Sequence, residues 1–216
     1  MSYLLIDILS YSIAIAAIIG LVRFKKIDRA YYPFIILLWV GLLNEIIGTI
    51  CIKHFKTNAI NSNIYVLAEA ILITWFFRNF GLFRKGKNLF SLSLFFILTF
   101  WLFENFYLSD IRRFSSYFRI SYSMLIVLMS INMINRMLVD GKKKLIQNPL
   151  FLILIGFIVF FTYKALIEIF WVYGLNASRD FRLEVYRIMA YINLAVNIIY
   201  AIAVLWMPRK REFMLP

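Results

Sequence analysis

The stretch PLFLILIGFIVFFTYKALIEIFWVY, residues 149–173, decides the fold class of this chain. It contains only two charged side chains, Lys164 and Glu168, among residues that are mostly Phe, Ile, Leu and Val. A bilayer core is about 30 Å thick and a helix rises about 1.5 Å per residue, so about 20 apolar residues are enough to cross it. Pro149 stands at the start, where a missing backbone N–H costs a helix nothing. The stretch therefore predicts a transmembrane helix.

Six further stretches have the same character and use most of the remaining chain. The seven predicted spans are residues 3–22, 31–52, 64–80, 89–107, 117–138, 149–173 and 183–207. The connectors between them are short and polar or basic, so none is long enough to fold as a separate domain. We predict an all-α polytopic membrane protein, a single seven-helix bundle over residues 1–216.

The overall composition excludes the main alternatives to a membrane protein. The chain has 216 residues, of which 63% are hydrophobic and 16% charged. A soluble domain is usually about 45–50% apolar and about 25% charged, and a disordered chain is less hydrophobic still. The single cysteine, Cys51, and the single histidine, His54, exclude a disulfide framework and a Cys/His zinc cage. We predict no metal site.

The distribution of lysine and arginine predicts the orientation in the membrane. The connectors after the first, third, fifth and seventh spans carry 15 of these residues, and the opposite side carries 8. Because basic loops stay on the cytoplasmic side, the N-terminus is predicted outside and the C-terminus inside. The net charge of +13 suits contact with anionic lipid headgroups. A nucleic-acid partner is not expected, since the basic residues are spread over four separate loops.

Charged and polar residues inside the predicted spans gather toward the outer side. A charged side chain at membrane depth costs about 2.5–3.5 kcal/mol on insertion scales, so such residues indicate function by default. Glu45 lies about 21 Å above the cytoplasmic start of its span, and Lys164 lies about 22 Å above the start of its own. We predict an outward-facing ligand-binding pocket formed by Asn44, Glu45, Glu69, Tyr163, Lys164, Glu168, Arg187 and Asn193.

A structural reading of the same residues stays open. Asparagine on a transmembrane helix face often serves helix packing, with hydrogen bonds that average about 0.6 kcal/mol. Lys164 is expected to pair with Glu45 or with Glu168, because a buried charge needs a partner. Glu104, at a span end, is expected at the membrane interface. The polar groups therefore form either a wet pocket or a dry structural network.

Three short stretches resemble a group of small seven-helix inner-membrane proteins of Gram-negative bacteria. They are Asn148–Phe151 at the start of the sixth span, Ile64–Glu69 after Leu43–Glu45, and Asn193–Tyr200 followed by a basic tail. Leu152 departs from the Trp-containing run that usually follows the opening Asn-Pro. The resemblance covers most of the chain. It implies the seven-helix topology and a location in the bacterial inner membrane, but no reaction.

The function classes follow from what the chain contains and lacks. It has no P-loop, GxGxxG, HExxH or GxSxG motif, so we predict no catalytic residues and no cofactor, and we favour a protein that is not an enzyme. The leading hypothesis is a receptor-like sensory or regulatory protein that binds a small polar ligand outside and acts through a protein partner on the cytoplasmic side. An accessory or structural subunit of a membrane complex, including a defence-system accessory, comes second. An oligomeric channel or transporter and then a lipid enzyme using paired carboxylates follow.

Overall fold

The computed structural model describes residues 9–84, 86, 88–139, 145–173 and 179–209, and only the backbone of residues 179, 180, 182 and 183. Seven α-helices lie within these residues, and no β-strand does, apart from an isolated bridge between Ile27 and Arg209. The helices are α1 Ile13–Arg23, α2 Tyr32–Phe55, α3 Ala59–Asn79, α4 Leu89–Phe103, α5 Ser116–Val139, α6 Pro149–Val172 and α7 Arg179–Trp206. A π-helical turn, Glu104–Leu108, continues α4.

Six of these helical segments are long and apolar enough to cross a membrane, as expected of a multi-pass membrane protein. They are Arg29–Phe55, Ala59–Asn79, Leu89–Leu108, Ser116–Val139, Pro149–Val172 and Glu184–Trp206. They correspond in order to the second to seventh predicted spans. The first predicted span, residues 3–22, lies partly outside the described residues, and α1 itself has 11 residues.

Six of the described helices, α1 to α3 and α5 to α7, form a ring in chain order. α1 packs against both α2 and α7, α2 packs against α3, and α6 packs against both α5 and α7. α4 stands at the edge of the ring, next to α3 and, more lightly, α5. It buries only Ile97 and Trp101. The centre of the bundle is therefore enclosed by the six other helices.

Apolar side chains cover the outside of the ring as well as its core. Large exposed examples on three helices are Ile46, Ile50, Leu92, Phe95, Phe96, Leu128 and Ile131. A soluble monomer rarely exposes an apolar surface of this extent, because water penalises it. The surface suits contact with lipid.

Local sequence signals set where individual helices begin and end. Asn148 accepts a hydrogen bond from the backbone N–H of Leu150 at 2.9 Å, and Pro149 occupies the first position of α6. α2 ends at Lys56, which adopts a left-handed conformation with φ of 61°. Only residues 56–58 separate α2 from α3, so the two helices must run antiparallel.

The first and last helices of the ring, α1 and α7, are joined at the end of the bundle opposite residues 56–58. The guanidinium of Arg23, the last residue of α1, donates to the backbone carbonyls of Val204, Leu205 and Met207 where α7 ends. A cation satisfies the unpaired carbonyls of a helix C-terminus and interacts well with its dipole. The N–H of Asp28 adds a bond to the carbonyl of Pro208 at 3.1 Å.

Aromatic rings fill the bundle at this same end. We call the set Phe34, Phe76, Phe77, Phe157, Phe161 and Tyr200 the aromatic plug. The ring centroids of Phe34 and Tyr200 are 5.1 Å apart, and those of Phe76 and Phe157 are 5.8 Å apart. Gly156 permits this packing, because a Cβ atom there would lie 2.3 Å from Cε1 of Tyr200. Five of these six side chains are phenylalanine, so the centre of the bundle is apolar at this end.

Candidate functional site

A cavity of about 220 Å³ lies above the aromatic plug, in the half of the bundle next to the 56–58 connection. We call it the polar cavity. Its apolar floor includes Leu38, Val66 and members of the plug. Its polar lining consists of Ser10, Asn44, Glu45, Ser62, Tyr65, Glu69, Arg119, Lys164, Asn193, Asn197 and Tyr200. Side chains from α2, α3, α5, α6 and α7 thus meet around one space.

The carboxylate of Glu69 is the centre of a buried network in this cavity. Lys164 Nζ lies 2.7 Å from Glu69 Oε2, and the hydroxyl of Tyr65 donates to Glu69 Oε1 at 2.9 Å. The hydroxyl of Tyr122 donates to Glu69 Oε2 and accepts a hydrogen bond from Lys164. Only 4% of the Glu69 side chain and 12% of the Lys164 side chain is exposed. Three donors therefore compensate one buried carboxylate.

The predicted partner of Lys164 was wrong. The sequence pointed to Glu45 or Glu168, but the ion pair forms with Glu69 on α3. Glu168 instead pairs with Arg119 on α5, 3.4 Å away, although it lies one turn from Lys164 on the same helix. The long lysine stem reaches across the cavity past the rings of Tyr122 and Phe161, whose centroids lie 5.1 and 5.3 Å from Nζ. Glu45 lines the same cavity.

Arg119 organises a second network beside the first. Besides Glu168, its guanidinium donates to Ser62 Oγ at 2.8 Å and to Asn63 Oδ1 at 3.2 Å. Ser116 donates to the other oxygen of Glu168 at 2.6 Å. The Nε of Arg119 is buried and has no hydrogen-bond partner among the described residues. This leaves one charged donor unsatisfied next to the cavity.

Asn63 links this network to the segment between α4 and α5. Its amide donates to the carbonyls of Ile111 and Arg113, at 3.0 and 2.6 Å. Its Oδ1 accepts from the backbone N–H and the hydroxyl of Ser115. Asn63 is fully buried. The network therefore holds the start of α5, and with it Arg119, in place.

A larger cavity of about 630 Å³ adjoins the polar cavity, and we call it the side cavity. The two share Arg119, Lys164 and Met189, which therefore lie at their boundary. The rest of the side cavity is mainly apolar and aromatic, with three polar side chains. These other lining residues are Ile52, Asn58, Phe114, Ser116, Ile167, Glu168, Trp171 and Tyr186. Together the two cavities place a polar site, the polar cavity, next to a mainly apolar space, the side cavity.

The structure brings most of the predicted pocket residues together. Asn44, Glu45, Glu69, Lys164 and Asn193 line the polar cavity, and Glu168 lines the side cavity. These are the candidate binding residues that the geometry retains.

Tyr163 and Arg187 line neither of these cavities. Tyr163 lies next to Lys164, but its hydroxyl donates to the backbone carbonyl of Val185 at 3.1 Å. Arg187 pairs with Glu184 at 2.7 Å on an exposed part of α7. Neighbouring positions on a helix point about 100° apart, so nearness in sequence did not bring them to the cavity.

The sequence reading missed Arg119, Tyr122 and the role of Glu104. Arg119 is one of the eight lysine and arginine residues on the side predicted to face outside, yet it is 7% exposed and lies at the centre of a network. A signal was present, because Arg119, Tyr122 and Ile126 recur at helical spacing on the buried face of α5. Glu104, expected at the interface, is 2% exposed and accepts from the backbone N–H groups of Tyr117 and Phe118. It caps the first turn of α5, a role that requires the fold.

Neither the search for metal-ligand groups nor the comparison with known proteins assigns a function to this site. The described part of the chain holds no group of three or more His, Cys, Asp or Glu side chains placed to share a metal ion. No protein-family model, curated protein or solved structure matches this chain. The site must therefore be interpreted from its own chemistry.

Proposed function

We propose that this chain is a sensory or regulatory inner-membrane protein that binds a small polar ligand in the polar cavity. In this proposal seven helices span the membrane, with the N-terminus outside, and the cavity opens to the outside. A protein partner on the cytoplasmic side receives the signal. The observation that carries the proposal is the division of one bundle into a cavity with buried ion pairs and an opposite half closed by aromatic rings.

The aromatic plug favours binding over transport. A conduction path needs water or polar groups along its whole length, because hydrocarbon offers no substitute for a hydration shell. Phe34, Phe76 and Phe157 are each 1% exposed and pack edge to face or tilted against one another. A ligand that enters the polar cavity would therefore leave by the side from which it came.

The lining determines which ligands suit the cavity. The two ion pairs around the cavities, Lys164 with Glu69 and Arg119 with Glu168, balance in charge, and Glu45 adds a further carboxylate to the lining. Asn44, Asn193 and the tyrosine hydroxyls add neutral donors and acceptors. This mixture favours a small polar or zwitterionic molecule over a lipid tail.

A structural role is the second candidate, and the saturation of Glu69 favours it. Its carboxylate already accepts from Tyr65, Tyr122 and Lys164, so the network can stand without a ligand. Such a dry network would suit an accessory subunit of a membrane complex.

Cysteine accessibility separates these two candidates. In a Cys51→Ser background, Asn44→Cys and Asn193→Cys should react with an impermeant thiol reagent added outside, because both side chains line the cavity and are half-buried. Ile97→Cys and Ile155→Cys, at apolar positions, serve as controls and should stay unlabelled. Folded protein in which neither cavity position reacts would replace the binding proposal with the structural one.

Reporter fusions test the orientation independently. Fusions after Lys87 and Lys144 should report a cytoplasmic location, and a fusion after Arg112 a periplasmic one. The reverse pattern would contradict the outward opening of the cavity.

A further inference from the structure

We propose that the ligand is an amphiphile, with a hydrogen-bond-accepting carbonyl head at the boundary between the two cavities and an apolar body in the side cavity. This inference rests on the proposed binding function and specifies its ligand class. Its basis is the Nε–H of Arg119, unpaired among the described residues, and the ammonium of Lys164 at the boundary, together with the apolar space beside them.

Arg119 supplies the first donor. Its Nε–H is buried without a partner among the described residues, although the residue lines both cavities and is 7% exposed. A buried donor left unpaired costs as much as the lost hydrogen bonds to water, and more when the group is charged. Because the other nitrogens bind Glu168, Ser62 and Asn63, the guanidinium is held in place rather than free to turn toward solvent. An acceptor entering the boundary would complete it.

Lys164 supplies the second donor. An ammonium group has three N–H donors, and the contacts to Glu69 and Tyr122 use two of them. Nζ also lies 5.1, 5.5 and 5.3 Å from the ring centroids of Tyr122, Phe160 and Phe161, and a carbonyl oxygen would bind the third N–H more strongly than these rings do. Arg119 and Lys164 extend from different helices, α5 and α6, to the same boundary. The boundary therefore favours an acceptor group.

The carboxylates at the boundary explain why an amine head would not bind there. Glu69 and Glu168 already accept charge-assisted hydrogen bonds from Lys164 and Arg119. A cationic ligand would have to displace one of these cations and would face both. A carboxylate or carboxamide head can instead accept from Arg119 and Lys164 while both ion pairs stay in place. The carbonyl oxygen is what these two heads share.

The side cavity provides the space for the apolar body. Ile52, Phe114, Ile167, Trp171 and Tyr186 line it, and its volume of about 630 Å³ falls in the range of about 300–1,000 Å³ typical of small-molecule sites. Aromatic side chains in a cavity wall pack against apolar groups and add edge-to-face or offset-stacked contacts when the group is itself aromatic. An aryl-alkyl body attached to a carbonyl head therefore matches both parts of the space.

Three probes with the same body and different heads test the proposal: 4-phenylbutanamide, 4-phenylbutyrate and 4-phenylbutan-1-amine. Each is titrated by calorimetry into the full chain in lipid nanodiscs, with empty nanodiscs subtracted. The amide or the carboxylate should bind saturably with a Kd of about 1 mM or tighter, as expected for a ligand of this size. The amine should bind at least about ten times more weakly, a difference of one decade in Kd. Equal binding of the amine, or binding by none of the three, would overturn the proposal.

Two tryptophan substitutions locate the binding. Met189→Trp adds bulk at the boundary of both cavities and should weaken the best probe at least about tenfold. Ile188→Trp is the matched control, because Ile188 is 47% exposed on the same helix, and it should bind the probe normally. Unchanged binding to a folded Met189→Trp protein would place the ligand elsewhere and refute the inference.

The outcomes separate this inference from the proposed function. If Asn44→Cys and Asn193→Cys are labelled but no probe binds, the amphiphile is refuted while the outward cavity stands. If these positions stay unlabelled, both proposals fail.

Discussion

Removing either partner of the Glu69–Lys164 pair should destabilise the protein far more than removing both. Glu69→Gln leaves the ammonium of Lys164 without its carboxylate, and Lys164→Met leaves the carboxylate without its cation. An uncompensated charge in a buried site costs about 3–5 kcal/mol. Both side chains are largely buried, so little of this cost is relieved by solvent.

The double variant should recover most of the loss. A buried ion pair is close to neutral in stability when both partners are replaced together, so we expect the double variant within about 2 kcal/mol of the unmodified protein. Tyr65 and Tyr122 contact different oxygens of Glu69, so in the glutamine variant one hydroxyl can still donate to the carbonyl oxygen and the other can accept from the amide nitrogen. Independent effects would instead sum to about 6–10 kcal/mol, so the coupling energy should be at least about 4 kcal/mol.

The assay is reversible unfolding in mixed micelles, with the detergent fraction as denaturant and helix content as the signal. Glu184→Gln with Arg187→Met is the matched control, since this pair is exposed and should couple by no more than about 0.5 kcal/mol. Glu45→Gln with Lys164→Met tests the alternative partner and should couple more weakly than the Glu69 pair. A coupling for Glu69 and Lys164 no larger than that of the exposed pair would refute the reasoning.

Two further substitutions test the packing that shapes the cavity. Gly156→Ala should lower the free energy of unfolding by about 1–3 kcal/mol, because the new Cβ would lie 2.3 Å from the ring of Tyr200. Gly48→Ala is the control and should cost less, because the nearest atom to its new Cβ would be 3.4 Å away. Equal shifts of the thermal unfolding temperature in the two variants would contradict the close approach of Gly156 and Tyr200. Glu104→Leu should cost about 1–3 kcal/mol because two backbone N–H groups of α5 lose their acceptor, while Asp110→Asn, at an exposed position, should have little effect. Thermal unfolding of the Leu variant at the unmodified temperature would show that the carboxylate does not cap α5.

The candidate site could be predicted in its location but not in its contacts. Residues 44, 45, 69, 164 and 193 were placed near one another from their depth along each span, and they do share a cavity. Depth follows from the helical rise, which is the same for every sequence. The ion-pair and hydrogen-bond partners of these residues could not be predicted from depth, because they depend on how each helix is rotated about its axis.

Arg119 shows where a sequence count misleads. It lies near the outer end of the predicted span 117–138, where a long basic side chain is expected to extend toward the headgroups and water. The network of Asn63, Ser62 and Glu168 turns it inward, using groups from α3 and α6. Those contacts come from residues about 50 positions away in the chain, which no local pattern reports.

The sequence by itself determined the helical class, the order of the helices and, to within five residues, the bounds of α2 to α7. These properties follow from local requirements, since apolar runs of sufficient length and Pro or Asn at their starts are read within a single segment. Only the tertiary structure decided that Lys164 meets Glu69, that Arg119 and Glu168 form a second pair, and that aromatic rings close the other half. The reason is geometric, because each ion pair joins two helices. Whether it forms depends on how the two helices are rotated and packed, and the hydropathy of either helix alone does not determine this.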